Sequence, residues 1–240
     1  MTSNNNSISI IIPCYNEQKN IENTVNEVIL AIKHSNIKKY EIIIVDDDSN
    51  DNTFKIAKNL QKKNNNIIVK KNIINLGVGG AIKTGLSNAK LNKVISIPGD
   101  NCHKNTEIAK LISIKDDYDL ILTYYSNPEI RSFLRTLFTK IYTPFLNFIF
   151  GLNLPYYNGL AVYKRLTIQD IKIYTNSFTW QIEVLLKLFK TKKIDYILIP
   201  TILEDRIEGK SKAFSLKNSL FVFFSILRLF FLRFFLSKKK

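Results

Sequence analysis

Two apolar, β-branched stretches near the N-terminus stop abruptly on polar residues that can do chemistry. The first, I-S-I-I-I, runs into P-C-Y-N-E at residues 13–17, and the second, E-I-I-I-V, runs into D-D-D at residues 46–48. In an open α/β sheet, ligands bind outside the carboxyl ends of the strands. If both stretches are strands, their ends bring hydrogen-bond donors, acceptors and carboxylates to one rim of a sheet. This arrangement predicts a nucleotide site that uses no P-loop.

A regular alternation of strand and helix patterns supplies the elements that position these residues. Apolar strand patterns occur at 8–12, 42–45, 67–71, 94–97 and 120–123, and helix patterns occur at 17–35, 53–63, 79–91 and 106–114. Such alternation is typical of a parallel sheet with helices on both faces, so the expected fold class is α/β. The second half of the chain adds a helix at 179–190 and a strand at 194–199.

The composition indicates a folded chain with an excess of positive charge. Of the 240 residues, 45% are hydrophobic, and 35 Lys and Arg against 20 Asp and Glu give a formal net charge of +15. This excess favours nucleic acid, anionic lipid headgroups or phosphorylated substrates. The basic residues form no RNP, zinc-finger or helix-turn-helix pattern, so we expect no nucleic-acid partner. Cys14 and Cys102 lack metal-like spacing, and residues 1–7 lack a signal-peptide pattern, which together favour the cytosol.

The C-terminal segment differs in character from the rest, so we divide the chain into a domain at 1–215 and a tail at 216–240. Arg228 and Arg233 interrupt the aromatic and aliphatic run of the tail. Each central arginine costs roughly 2.5–3.5 kcal/mol in a spanning helix. Aromatic residues flanked by basic charge suit an amphipathic helix lying in the membrane interface, which is the prediction for the tail. A helix that packs on the domain or on a partner is the alternative. For the aromatic stretch 133–150, a second interfacial element and a buried helix are both open.

Four motifs in the first half resemble family 2 glycosyltransferases. P-C-Y-N-E at 13–17 and V-D-D-D-S-N-D-N-T at 45–53 follow the first two strands, as in that family. N-L-G-V-G-G-A at 75–81 stands where the family has N-x-G-x-G-x-A, and I-P-G-D-N at 97–101 stands where it has a D-x-D-like turn. The order and spacing match over about residues 8–125. The resemblance implies a GT-A fold, a mainly parallel sheet flanked by helices, with a GDP- or UDP-linked sugar at the strand ends.

The second half resembles, more loosely, the branch of polyprenol- and dolichol-phosphate sugar transferases. The matching segments are N-P-E-I-R at 127–131, Y-N-G-L at 157–160, W-Q-I-E at 180–183 and R-I-E-G-K-S-K at 206–212. The branch implies an inverting transfer to a polyprenyl phosphate or other lipid acceptor at the cytosolic membrane surface. A saccharide acceptor in cell-surface polysaccharide synthesis stays open, and so does a non-catalytic nucleotide- or glycan-binding membrane module. The sequence gives no expectation of oligomeric state.

The resemblance also implies which residues contact the nucleotide sugar. They are Pro13, Tyr15, Glu17, Asp46, Asp47, Gly77, Gly79, Lys210 and Ser211. Pro13 lacks an N–H and is expected to end the first strand. A strand-end turn opening a helix is the alternative for Tyr15 and Glu17, and a plain turn is the alternative for the glycines. Asp48 stands where the family often has Gly or Asn, and we expect it to be solvated.

Asp100 is the expected metal ligand and catalytic residue, because departure of a nucleoside diphosphate requires its developing charge to be neutralised. The family's first acidic residue corresponds to Pro98 here, so only Asp100 remains of the pair. Mg²⁺ or Mn²⁺ is the expected cofactor, because Mg²⁺ can be held by one or two carboxylates with waters and substrate phosphates. Asn101, Cys102 and His103 are candidates to assist Asp100, although His103 is expected to be a surface residue and not a ligand.

Basic residues complete the predicted site by binding phosphate, since Arg offers a planar fork and Lys a point charge. By resemblance, Arg131 and Arg135 face the acceptor phosphate, and Arg206 closes over the donor diphosphate as a catalytic residue. A solvated basic surface is the alternative. Glu183 is the candidate for a general base or an acceptor-side contact.

Overall fold

A computed structural model of the chain describes residues 6–114, 118–127, 133–202 and 231. The elements are β1 (Ser7–Cys14), α1 (Ile21–Lys33), β2 (Lys39–Asp46), α2 (Thr53–Lys63), β3 (Ile67–Lys71), α3 (Val78–Asn88), β4 (Lys93–Ser96), α4 (Asn105–Ile112), β5 (Leu120–Tyr125), α5 (Phe133–Phe150), β6 (Ala161–Lys164), α6 (Arg165–Ile168), α7 (Trp180–Thr191) and β7 (Tyr196–Thr201). The alternation of strands and helices in the first half agrees with the sequence prediction.

Seven strands form one mainly parallel sheet in the order β3-β2-β1-β4-β6-β5-β7. Only β6 runs antiparallel to its neighbours β4 and β5, while β5 and β7 pair in parallel. The carboxyl ends of β1, β2, β4 and β5 therefore meet at one edge of the sheet. Cys14 pairs with Asp46 in the register of β1 and β2, so the two polar motifs begin side by side.

The first strand corrects one expectation, because β1 continues one residue past Pro13 to Cys14. Pro13 cannot donate a ladder hydrogen bond, but its carbonyl oxygen accepts from Gly99 N at 3.2 Å. Ile97 N likewise donates to Ile11 O at 2.9 Å, beyond the last residue of β4. The chain after β4 thus follows β1 and carries Asp100 to the same rim of the sheet.

Hydrophobic cores on both faces of the sheet explain the unbroken apolar strand sequences. Ile10 and Ile12 belong to the core beneath α1, α2 and α4, whereas Ile11 belongs to the core beneath α3, α5 and α7. Successive side chains of a strand point to opposite faces, so a strand covered on both sides is apolar at every position. The I-I-I sequence therefore anchors the site rim from both faces.

Helix α5 is partly buried, as one of the two alternatives for 133–150 predicted, and its role as an interfacial element stays a prediction. Leu146, Ile149 and Phe150 are buried in the core. Leu137, Ile141, Phe145 and Phe148 are exposed, and we call these four the α5 apolar stripe. Within the described ranges, no helix is long and apolar enough to cross a bilayer. The tail at 216–240 lies outside the described residues, except for Phe231.

Candidate active site

The loops that follow β1 and β2 are bonded to each other across the rim of the sheet. Asn16 N donates to Ser49 Oγ at 2.9 Å, and the Asn16 side-chain oxygen accepts from Asn50 N at 2.8 Å. Glu17 N donates to Thr53 Oγ1 at 2.8 Å. Asn16 adopts a positive φ of 54°, a conformation that asparagine tolerates better than most residues. These bonds hold Tyr15 and Glu17 half-buried at the rim.

Asp46 is fully buried and only partly satisfied by the chain. Its Oδ2 accepts from Ser49 N at a long 3.4 Å, and its Oδ1 has no hydrogen-bond partner among the described residues. Burial raises the pKa of this carboxyl above its ordinary value. A buried polar oxygen without a partner carries a desolvation penalty that a ligand N–H or O–H can relieve. Asp46 is therefore suited to accept a hydrogen bond from a bound molecule.

We expect Asp46→Asn to raise thermal stability at neutral pH. The raised pKa means that the native protein holds a proton here more readily than the unfolded chain does. The stability from this group is therefore greatest below the ordinary carboxyl pKa and is lost as the pH rises through the native value. Removing the charge should add about 1–2 kcal/mol at neutral pH, a Tm gain of roughly 2–8 °C.

Melting curves recorded from acid to neutral pH test this prediction, with the exposed Asp48→Asn as the matched control. We expect the control to leave both the Tm and its pH dependence unchanged. An Asp46→Asn protein less stable than wild type at neutral pH contradicts the prediction.

Asp47 is buried, and donors from the chain surround its carboxylate. Oδ1 accepts from the Asn72 side-chain amide at 2.6 Å and from Leu76 N at 3.0 Å, while Oδ2 accepts from Gly77 N at 2.7 Å. Its carbonyl oxygen accepts from the Asn75 side chain at 2.9 Å. Hydrogen bonds to an ionised acceptor are stronger than neutral ones. Asp47 therefore fixes the first part of residues 72–79, which we call the glycine loop.

The glycines that follow are required by close packing within the chain. Gly77 has a φ of +79°, and a Cβ there would lie 2.6 Å from Asn176 O. A Cβ on Gly79 would lie 2.7 Å from Thr175 O, and Gly79 N donates to Asn176 O at 2.9 Å. Side chains cannot be accommodated this close to backbone oxygens. Thr175 and Asn176 thus lie directly against the glycine loop and the start of α3.

Asp48 adopts a backbone conformation that most side chains avoid. It has a φ of +61°, a region that bulky residues avoid. Its carboxylate lies 3.9 Å from Lys71 Nζ, and the side chains of Asp48 and Lys71 are 40% and 41% exposed. Such surface pairs contribute little free energy. The expectation that Asp48 is solvated agrees with this exposure.

The turn at Asp100 brings a third strand end to the rim. Asp100 is half-buried, and its Oδ1 accepts from Cys102 N at 3.4 Å. The next residue, Asn101, has a φ of +58° and is only 5% exposed. Its Oδ1 has no hydrogen-bond partner in the part of the chain that the structure describes.

These oxygens fit a divalent cation, although the carboxylates are few. The described residues contain no group of three His, Cys, Asp or Glu side chains that could hold a metal. Mg²⁺ accepts carboxylate and amide oxygens and keeps several waters, so Asp100 with Asn101 and substrate phosphates forms a chemically suitable donor set.

His103 corrects a second expectation, because it is buried and not a surface residue. It is 6% exposed, and its ring stacks on Tyr125 with centroids 6.4 Å apart. Tyr125 in turn packs against Tyr156 at 5.2 Å. Burial lowers the pKa of His103, although the nearby Asp100 carboxylate opposes the shift. The ring is thus enclosed by the chain and lies near enough to Asp100 for the carboxylate to affect its pKa.

Glu183 corrects the third expectation, because its oxygens bind the chain and it is 2% exposed. Its two oxygens accept from Tyr174 N at 3.1 and 3.2 Å, and one of them accepts from Thr175 N at 2.9 Å. Lys187 pairs with the same carboxylate. A general base must reach the proton that it abstracts. This enclosed carboxylate does not meet that requirement.

The predicted phosphate binders have no described side-chain geometry. Arg131, Arg206, Lys210 and Ser211 lie outside the described residues. Arg135 lies in α5, but its side chain is not described. Their assignment to donor and acceptor phosphates remains a prediction.

Of two asparagines in the site, Asn72 was missed at the sequence level, and Asn101 was considered there only as a residue that could assist Asp100. Asn72 is 7% exposed and bonds to both Asp47 and the Thr84 hydroxyl. Asn101 supplies the unpartnered oxygen beside Asp100. Each follows the carboxyl end of a strand, which is the same positional signal that identified Asp46 and Asp47.

Comparison with known families identifies the class of this protein. A model of glycosyl transferase family 2 matches residues 9–168, two thirds of the 240 residues. The chain therefore belongs to glycosyl transferase family 2. The glycosyltransferase class and the α/β GT-A fold predicted from the sequence are confirmed.

Solved structures with the same fold include two that contain a nucleotide sugar. Mannosyl-3-phosphoglycerate synthase from Rubrobacter xylanophilus aligns with a TM-score of 0.71 and 16% identity, covering 98% of this chain and 77% of that one. The mannosyltransferase PcManGT from Pyrobaculum calidifontis, solved with GDP-Man and Mn²⁺, aligns with a TM-score of 0.60 and 15% identity. The alignment covers 85% of this chain and 58% of that one. S. aureus TarS in complex with UDP-GlcNAc aligns with a TM-score of 0.61 and 20% identity. The alignment covers 95% of this chain and 66% of that one. The chain thus spans less than three fifths of the length of PcManGT.

Proposed function

We propose that this protein transfers a sugar, with inversion, from a GDP- or UDP-linked donor. One observation carries the proposal: three strand ends bring Asp46, the glycine loop and Asp100 to one rim. There, one buried side-chain oxygen of Asp46 and one of Asn101 have no hydrogen-bond partner among the described residues. Ribose hydroxyls, base N–H groups and a diphosphate-bound cation are the partners that such oxygens accept. The nucleotide sugars in the related structures support the same ligand class.

Mg²⁺ or Mn²⁺ is the proposed cofactor, held by Asp100 with Asn101 as a second oxygen ligand. A bound divalent cation supplies charge neutralisation for the departing diphosphate. Mn²⁺ in the PcManGT structure supports this choice. Arg206, Lys210 and Ser211 are proposed to bind the same diphosphate, and Tyr15 and Glu17 to contact the base or ribose.

The proposed acceptor is a polyprenyl phosphate at the cytosolic membrane surface, with Arg131 and Arg135 on its phosphate. A phosphate monoester is largely anionic at neutral pH, because its second pKa is about 6. Such an acceptor needs no strong general base, which agrees with the enclosed position of Glu183. An alcohol acceptor requires a base.

Membrane contact is proposed through the α5 apolar stripe and the tail at 216–240. Phe148 is 86% exposed and Ile141 66%, values that favour burial in an apolar medium. We expect Phe145→Asp with Phe148→Asp to weaken binding to anionic lipid vesicles at least about tenfold, because two aromatic anchors are lost. Sedimentation with the vesicles measures this.

Exposed Leu166, on the short helix α6, offers the matched control for that variant. Leu166→Asp should leave vesicle binding unchanged. If both variants lose vesicle binding to the same extent, the proposal that α5 contacts the membrane is wrong.

The test of the proposed function is a donor screen. The full chain is incubated with radiolabelled GDP- and UDP-sugars, a polyprenyl phosphate and Mg²⁺ or Mn²⁺, with and without chelator. Chelator-sensitive label in the organic phase supports the proposal and names the donor. Donor hydrolysis without lipid labelling points to a saccharide or another acceptor. Binding without turnover favours a non-catalytic module, for which Pro98 in place of an acid is the specific observation.

A further inference from the structure

Glu183 and Lys187 form an ion pair inside the protein, one turn apart on α7. Glu183 is 2% exposed and Lys187 9%. Removing two charges from water is costly, and a buried pair is weak support for stability. Stability alone therefore does not account for the presence of this pair. The contacts that Glu183 and Lys187 make with other residues suggest a second role.

Both members of the pair hold residues 172–176, the segment that precedes α7. The carboxylate of Glu183 accepts from the backbone N–H groups of Tyr174 and Thr175, at distances of 3.2 Å or less. Lys187 Nζ donates to Lys172 O and lies 4.4 Å from the centre of the Tyr174 ring. The backbone of this surface segment is thus fixed by charged groups buried beneath it.

The same segment forms one side of the glycine loop. Asn176 O accepts from Gly79 N at 2.9 Å, and the Asn176 side chain accepts from Lys83. The other side of the loop is held by Asp47, through Leu76 N and Gly77 N. The glycine loop therefore lies between two buried carboxylates, one acting directly and the other through residues 174–176.

We propose that Glu183 and Lys187 are positioning residues for the donor nucleotide. The ion pair fixes the backbone of residues 172–176, and these residues in turn fix the position of the glycine loop at the site rim. The proposal rests on the proposed function for its ligand, a nucleoside diphosphate. It assigns Glu183 an effect on donor binding in the absence of any acceptor, which a general base does not have.

Nucleotide binding without acceptor tests the proposal. Titration calorimetry of the full chain with UDP and with GDP, each with Mg²⁺, should give a Kd about tenfold higher for Glu183→Gln and for Lys187→Met, a size typical of coupled network residues. The double variant should recover part of the affinity, because it leaves no unpaired buried charge. Lys190→Met, an exposed lysine at the end of the same helix, should bind as wild type does.

Hydrogen exchange of the wild-type chain gives a second readout, which holds even if a variant fails to fold. Saturating nucleotide should slow exchange at Gly77 and Gly79 and also at Tyr174 and Thr175. Protection confined to the glycine loop, or unchanged Kd values in folded variants, overturns the positioning role. If the wild-type chain binds neither UDP nor GDP, the proposed function is wrong, and the positioning role inferred from it is then wrong as well.

Discussion

Replacing Asp100 by alanine is expected to abolish sugar transfer while leaving the fold intact. Asp100 supplies the one carboxylate of the turn at 98–101, and a cation held there would contribute several kcal/mol to stabilising the leaving group. At about 1.4 kcal/mol for each factor of ten, kcat should fall on the order of 10³-fold or more. Rates of label transfer in the donor screen measure this.

The fold should survive because Asp100 is half-buried and its bond to Cys102 N is long, at 3.4 Å. Tm should shift by no more than a few degrees, as is usual for such positions. Asp48→Asn is the matched control, since it changes an exposed carboxylate on the same rim and should keep full activity. Undiminished transfer by Asp100→Ala would refute the metal assignment.

Replacing Asp47 by alanine is expected to have the largest effect on stability among the site residues. The change removes a buried acceptor from three N–H groups, those of Asn72, Leu76 and Gly77. Hydrogen bonds to a charged group contribute about 1.5–3 kcal/mol each, and stranded donors add a penalty. A loss of about 3–5 kcal/mol is expected, which lowers Tm by roughly 6–20 °C.

Thermal unfolding of Asp47→Ala beside Asp46→Asn gives a direct contrast between adjacent carboxylates. The first should destabilise the protein and the second should stabilise it, because the first carboxylate has three donors and the second has an unpartnered oxygen. Nucleotide affinity should fall in both. An Asp47→Ala protein with the Tm of wild type would show that the glycine loop is held by other contacts.

The location of the site could be predicted from the sequence because its signals are local. An apolar run followed by polar residues marks the end of a buried strand, and parallel strands place their carboxyl ends at one edge. Asp46 and Asp47 were identified in this way, and Asp100 by its resemblance to the family's D-x-D-like turn; all three lie on that rim. The helix at 179–190 was similarly found as α7, Trp180–Thr191.

The local sequence pattern could not show which site residues are hydrogen-bonded by the chain and which are not. Asp46 and Asp47 are adjacent and chemically identical, yet Asp47 is saturated because the glycine loop, about thirty residues further on, points its N–H groups at it. His103 was expected at the surface, but β5 brings Tyr125 against its ring. The antiparallel strand β6 was not predicted either, because its place between β4 and β5 depends on pairing with segments far away in the sequence.

The sequence by itself thus determined the fold class, the family and the rim on which the ligand residues lie, because strand periodicity and strand-end motifs are encoded within short segments. Only the tertiary structure decided which carboxylates are available to a ligand and which support the chain. That distinction depends on hydrogen bonds between residues far apart in sequence, such as Glu183 with Tyr174 and the contact of Gly79 with Asn176. Burial and hydrogen-bond saturation arise only when these segments pack together.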